Sequence, residues 1–340
     1  MGSLIHYSGI STKIRAMERW RIKPEQFEQM AALESVPEAV RFLRSLPPYE
    51  KIFSGVEDKE LHRGRIEQLL NLAQYEDFAS LYQFANMKQR RFLDLYFMHY
   101  EIGIVKTCLR NGAGRREAAQ DLSGFKEFFD RHSSVDLAQL SQCRSIDEVI
   151  SGLKGTIYYS PLESLRQKGQ AALPACETAV DMLYFKTVWK IKEKYLSGQE
   201  KKDLTQCFGT RMDMLNLQWI CRAKKYYHLP EGEIYAMIIP ISLHLKKIRD
   251  PGYGPGRRCG AGLRADPKQL VRTAGSGKPG KRTGLEEPCR EVIDRIYELT
   301  SRKEPYSASV LNSYLYFKER EIEKIITTIE RIRYGVAAGI

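Results

Sequence analysis

Residues Ser35–Tyr49 read SVPEAVRFLRSLPPY, and Ser145–Tyr159 read SIDEVISGLKGTIYY. In the first, Val36, Ala39, Val40 and Leu43 fall at i, i+3, i+4 and i+7, one face of a helix. Ile146, Val149, Ile150 and Leu153 repeat that spacing in the second. At an offset of 110, Ser35 meets Ser145, Glu38 meets Glu148, Val40 meets Ile150, Leu43 meets Leu153, Arg44 meets Lys154 and Tyr49 meets Tyr159. Any two amphipathic helices resemble each other, so one block decides little. A second pair follows in the same order: Glu101–Arg110 (EIGIVKTCLR) and Asp213–Arg222 (DMLNLQWICR), at an offset of 112. They share the acid, the apolar positions 102/214 and 105/217, and the terminal arginine. A weaker third copy is Glu321–Ile329 (EIEKIITTI), at an offset of 108 from the second. The spacing predicts an internal repeat of about 110 residues, three units of which fill the chain.

Helical periodicity continues outward from these blocks. Ile66, Leu69, Leu70 and Ala73 form an apolar face. From Glu76 to Leu109 there is no proline and only one glycine, Gly103. That stretch is one long helix, or two joined end to end, roughly 50 Å in length. Asn111-Gly112-Ala113-Gly114 stops it. Ile322, Ile325, Ile326 and Ile329 mark a last amphipathic helix, whose start Ser307 or Ser309 caps. No convincing run of alternating strands is present, so the fold class is all-α. The repeat divides the chain into three similar helical domains, 1–125, 126–240 and 241–340.

The chain has 340 residues, 43% of them hydrophobic and 28% charged, with a formal charge of +12. This composition excludes a wholly disordered or collagen-like chain. The most apolar stretch, Tyr235–Leu245, has 11 residues and contains Pro240 and His244; a membrane-spanning helix needs roughly 20. The first 20 residues lack the basic-then-apolar order of a signal peptide.

The charge is uneven. Arg249–Gly284 holds nine basic residues against two acids, with nine glycines, four prolines and a single aromatic, Tyr253. Such a stretch buries too little apolar surface to offset the entropy of ordering it. It reads as disordered or poorly packed, and as an insertion, a diverged third copy of the first block, or a segment translated out of frame, since GC-rich DNA read in a shifted frame yields mainly Gly, Arg, Pro and Ala. The third domain is disturbed by it. A basic tract invites a nucleic-acid reading, but it lacks the aromatic platforms that stack single strands. Within it, Gly275–Lys281 approaches the phosphate-loop pattern. Arg282 stands where a magnesium-ligating Ser or Thr belongs, and Pro279 sits inside the loop.

Seven cysteines and six histidines are scattered, without C-x-x-C or H-E-x-x-H. They read as reduced thiols and isolated imidazoles, with no metal site. No nucleophile motif or paired carboxylates stand out. The expectation is no catalytic residue, no cofactor and no small-molecule substrate. The runner-up reading is a basic all-α nucleic-acid-binding protein.

The C-terminal stretch Asn312–Val336, NSYLYFKEREIEKIITTIERIRYGV, resembles the C subunit (also called d) of V-type and archaeal A-type rotary ATPases. Tyr314, Leu315, Lys318, Glu319, Glu321, Ile322, Ile325 and Ile329 fit the family pattern Y-L-x-x-K-E-x-E-I-x-N-[IL]-x-x-I, with Lys324 in place of Asn. Asp213, Asn216, Leu217 and Arg222 fit its D-x-x-N-[IL]-x-x-x-x-R segment. The first repeat keeps Glu101, Val105, Lys106, Thr107, Leu109 and Arg110, with Ile104 where Asn is expected. The resemblance spans residues 1–248 and 285–340. It implies a pseudo-threefold funnel of three helical domains that carries no active site. Its implied place is peripheral, on the cytoplasmic face of a membrane, between the rotor ring and the central shaft of D and F subunits, with no nucleic-acid partner. The residues singled out as partner-interface or repeat-structural are Glu101, Lys106, Arg110, Asp213, Asn216, Arg222 and Glu321. These charges either pair within their own domains or face into the funnel.

Overall fold

The computed structural model describes residues 2–114, 125–241, 243 and 286–335. Among them every regular element is helical. In chain order the α-helices are α1 (Gly2–Glu18), α2 (Pro24–Ala31), α3 (Val36–Arg44), α4 (Pro47–Phe53), α5 (Arg63–Phe84), α6 (Met87–Gly112), α7 (Lys126–His132), α8 (Leu137–Leu140), α9 (Ile146–Gly152), α10 (Tyr159–Gln167), α11 (Leu173–Tyr195), α12 (Gly198–Tyr226), α13 (Glu231–Met237), α14 (Glu286–Lys303) and α15 (Ala308–Arg333), with one short 3-10 turn, Asp58–Glu60, before α5. The tract 249–284, with the three readings of it, lies outside the described residues.

The two halves of the first repeated block fold alike. Ser35 Oγ accepts from Glu38 N at 3.4 Å, and Ser145 Oγ accepts from Glu148 N at 3.2 Å. Each glutamate reaches back to the chain before its cap: Glu38 to Glu34 N at 3.2 Å, Glu148 to Arg144 N at 2.8 Å. These bonds satisfy the donors that a helix start leaves open. The matched apolar positions Ala39/Val149, Val40/Ile150 and Leu43/Leu153 are all buried.

The proline-free run from Glu76 to Leu109 is two helices, not one. Ala85 is extended (ψ 142°), and Asn86 caps α6 by accepting from Gln89 N at 3.0 Å while Gln89 Oε1 accepts from Asn86 N at 2.9 Å. Gln89 Nε2 also donates to His6 O at 2.8 Å, tying the turn to α1. The α5–α6 hairpin is filled by rings from α7 and the residue before it: Tyr75 stacks on Phe125 at 4.8 Å, and Phe78 meets Phe128 edge-on at 5.8 Å. The stop at 111–114 holds, with Gly112 ending α6 and Gly114 at φ +80°. Of the two candidate caps for the last helix, Ser307 directly precedes α15 and accepts from Ser309 N at 3.1 Å.

The chain forms two compact units. One comprises residues 1–180 with 313–340; the other comprises 181–312. In the first, α3, α4 and α5 pack in series, and α6 packs on α9. In the second, α12 packs along α14.

Candidate functional site

The acids at the heads of the second repeated block are buried. Glu101 is 7% exposed, Asp213 0% and Glu321 5%. A buried carboxylate is costly unless hydrogen-bonded, and each has donors supplied from far along the chain.

Glu321, on α15, accepts from Tyr49 OH at 2.5 Å and from Ile22 N at 2.8 Å. Lys318, one turn earlier, is also buried. Its Nζ lies 3.5 Å from Glu321, 3.2 Å from Asp77 and 4.7 Å from the centre of the Tyr49 ring. Tyr314 OH donates to Asp77 Oδ2 at 2.9 Å. Burial, then the Glu321 charge, pushes the Tyr49 hydroxyl well above its usual pKa. Burial and Asp77 do the same to Tyr314. Both tyrosines stay neutral donors.

Glu101, on α6, is held by the same chemistry. Tyr158 OH donates to one oxygen and Ser133 Oγ to the other. Burial raises the pKa of the Glu101 carboxyl, and the two hydroxyls pull it back. Tyr158 therefore corresponds to Tyr49, and the sequence match to Tyr159 is one residue out of register. Tyr158 is fully buried, whereas Tyr159 is only half-buried.

Asp213, on α12, receives a backbone donor instead. Leu243 N lies 3.2 Å from both of its oxygens. One turn on, buried Asn216 grips Ile239 at two points, accepting from its N at 2.8 Å and donating to its O at 3.1 Å. Gly209 completes the face, for a Cβ there would sit 2.8 Å from Leu243 Cβ. The chain around Ile239 and Leu243 is thus laid against the Gly209–Asp213–Asn216 face, running opposite to the helix.

Nine residues after each acid comes a second charge. Arg110 Nε is 2.6 Å from Glu177, near the start of α11. Arg222 pairs with Glu286, at the start of α14. The third position is Glu330, and its partner is Arg63 at the start of α5, 3.9 Å away. There the polarity is reversed. These pairs do not stay within the 110-residue divisions: Glu101 and Arg110 find partners 57 and 67 residues on. Lys106 is half-buried on α6.

Of the residues singled out from sequence, Glu101, Asp213, Asn216 and Glu321 act as buried anchors, while Arg110 and Arg222 form the ion pairs. Periodicity missed Tyr158, Ser133, Asp77, Glu177 and Glu286. Among the described residues no three His, Cys, Asp or Glu side chains are grouped to hold a metal ion.

The sequence model of the ATP synthase (C/AC39) subunit family matches residues 10–339. The chain is 25% identical over 307 residues to the C subunit of the A-type ATP synthase of Haloferax volcanii, covering 85% of this chain and 80% of that one. It is 22% identical over 331 residues to the C subunit of the A-type ATP synthase of Pyrococcus horikoshii, covering 94% and 84%.

Proposed function

This chain belongs to the ATP synthase (C/AC39) subunit family, and from that membership we propose that it is the non-catalytic central-stalk subunit of a V/A-type rotary ATPase. It couples the rotating shaft of D and F subunits to the membrane rotor ring for H⁺ or Na⁺ transport. It sits peripherally on the cytoplasmic side. Its three helical repeats, 1–125, 126–240 and 241–340, are the parts that carry torque.

The recurrence of the buried carboxylate clamp at Glu101 and Glu321 supports this reading most. A coupler must pass torque from helix to helix without a side chain yielding. A buried carboxylate held from two sides by hydrogen-bond donors resists displacement, because moving it leaves a desolvated charge without partners. Close-packed interiors transmit strain in the same way. Among the described residues no helix is long and apolar enough to cross a membrane, which fits attachment through a membrane partner.

The test is a pull-down of the tagged chain from detergent-solubilised membranes, with peptide identification. Recovery of a small, very hydrophobic ring subunit together with D and F is expected. Recovery of nucleic acid or soluble proteins, with no ring subunit, overturns the reading.

A further inference from the structure

Three large apolar side chains stand out from the first compact unit at one place, where the turn between α5 and α6 meets the start of α1. Ile5 is 75% exposed, Phe84 56% and Met87 73%. They are contiguous. The Phe84 ring lies over Gly9, where a Cβ would sit 3.2 Å from it, and Ile5 is one turn before Gly9 on α1. Met87 opens α6, three residues after Phe84. The polar groups of this turn are satisfied from within. Arg90 donates to carbonyls in the last turn of α5, Tyr82 O at 3.1 Å and Gln83 O at 3.3 Å. Asn86 and Gln89 accept from each other's backbone N–H, and both side-chain amides donate to His6 O, at 3.2 and 2.8 Å. A turn that stays in water takes such bonds from solvent; one that leaves water must supply its own. The charge around it is of one sign. Residues 2–17 hold Lys13 and Arg15, and residues 78–93 hold Lys88, Arg90 and Arg91, with no acid in either stretch. The next acid along α6, Asp94, accepts from Tyr82 OH at 2.9 Å. On α7, Glu127 and Asp130 are paired with Arg131 and Lys126.

We propose that this turn is a membrane-surface contact, at which Ile5, Phe84 and Met87 enter the headgroup boundary of a bilayer that carries acidic lipids. Apolar side chains beside a basic, acid-free rim are the make-up of segments that lie in that boundary. The negative potential of acidic lipids draws lysine and arginine toward it, and Lys88 and Arg91, both exposed, meet the lipid phosphates. A protein partner is recognised through directional polar contacts around an apolar centre. Here the side chains best placed to make them, Asn86, Gln89 and Arg90, are already engaged by the turn itself. A lipid boundary asks for apolar area and charge alone, which is what the turn offers. The inference takes from the rotary-ATPase reading only the presence of a membrane; the residues of the turn carry the rest.

The experiment floats the full chain with vesicles of equal parts phosphatidylglycerol and phosphatidylcholine, and with vesicles of phosphatidylcholine alone. The double variant Phe84→Ser, Met87→Ser is compared with Leu299→Ser, which alters an exposed apolar residue of the second unit, and all are melted in parallel. The expected result is flotation on the acidic vesicles only, about tenfold or more weaker in the double variant, with Leu299→Ser and the melting temperatures unchanged. No flotation, equal flotation on both vesicles, or flotation that the double variant leaves intact overturns the contact. If the double variant melts early, Phe84→Trp decides: its added fluorescence is quenched by lipids brominated in the acyl chain if the turn enters the boundary, and unquenched fluorescence overturns it. The two readings fail separately. A chain that recovers ring and shaft subunits but does not float overturns the contact alone, and one that floats by this turn but recovers no ring subunit overturns the rotary reading alone.

Discussion

Glu101 binds its proton more tightly than a carboxyl in water, because burial outweighs the two hydroxyls that donate to it. Its folded pKa lies above the ordinary 4.5, so between the two values the folded chain holds more protons than the unfolded one. Stability is therefore fullest below 4.5 and falls as pH rises through the folded pKa. Glu101→Gln, neutral and of the same shape, removes that slope. The difference in melting temperature, variant minus wild type, should move in the variant's favour from acid to neutral pH; a difference independent of pH refutes this. Tyr158→Phe leaves one oxygen of the buried carboxylate without its donor and should cost about 1–3 kcal/mol in chemical denaturation. Tyr159→Phe should stay within about 0.5 kcal/mol. That contrast also shows the limit of reading residues from sequence. The acids were legible as repeated positions, but the adjacent tyrosines 158 and 159 offer no way to choose the buried one from spacing alone. The donor Ser133 belongs to no periodic pattern at all.

At the scale of elements, helices announced themselves through apolar spacing, and their boundaries through local chemistry. The break between α5 and α6 has no Pro or Gly to mark it, yet Asn86-Met-Lys-Gln89 is a capping box in the sequence itself. The segment around Ile239 and Leu243 was not legible. It is held by backbone bonds to Asp213 and Asn216, and backbone partners leave no trace in residue spacing. Asn216→Ala should cost about 1–3 kcal/mol, since it orphans a buried N–H and C=O together, and should speed amide exchange at Ile239. Unchanged exchange there would contradict the clamp. Gly209→Ala should loosen the same segment through steric contact with Leu243, with little effect on α12 itself.

At the scale of the molecule, the first compact unit draws on both ends of the chain. Glu321 reaches Tyr49 across 272 residues and Ile22 across 299. An offset between repeats conveys which blocks are alike, but not that the last helix folds back on the first residues. Glu321→Ala leaves buried Lys318 with Asp77 as its remaining carboxylate, and should cost about 3 kcal/mol. Amide exchange should rise at Ile22 and around Tyr49 while Ile239, in the second unit, keeps its protection; equal loosening of both would show that they unfold as one. The third pair differs in sign from the others: Glu330 faces Arg63, where Arg110 faces Glu177 and Arg222 faces Glu286. Glu330 carries the same charge as Glu177 and Glu286, so it would meet like charge in the place of Arg110 or Arg222 and finds opposite charge at Arg63, which makes the three positions distinguishable by sign where their spacing is the same.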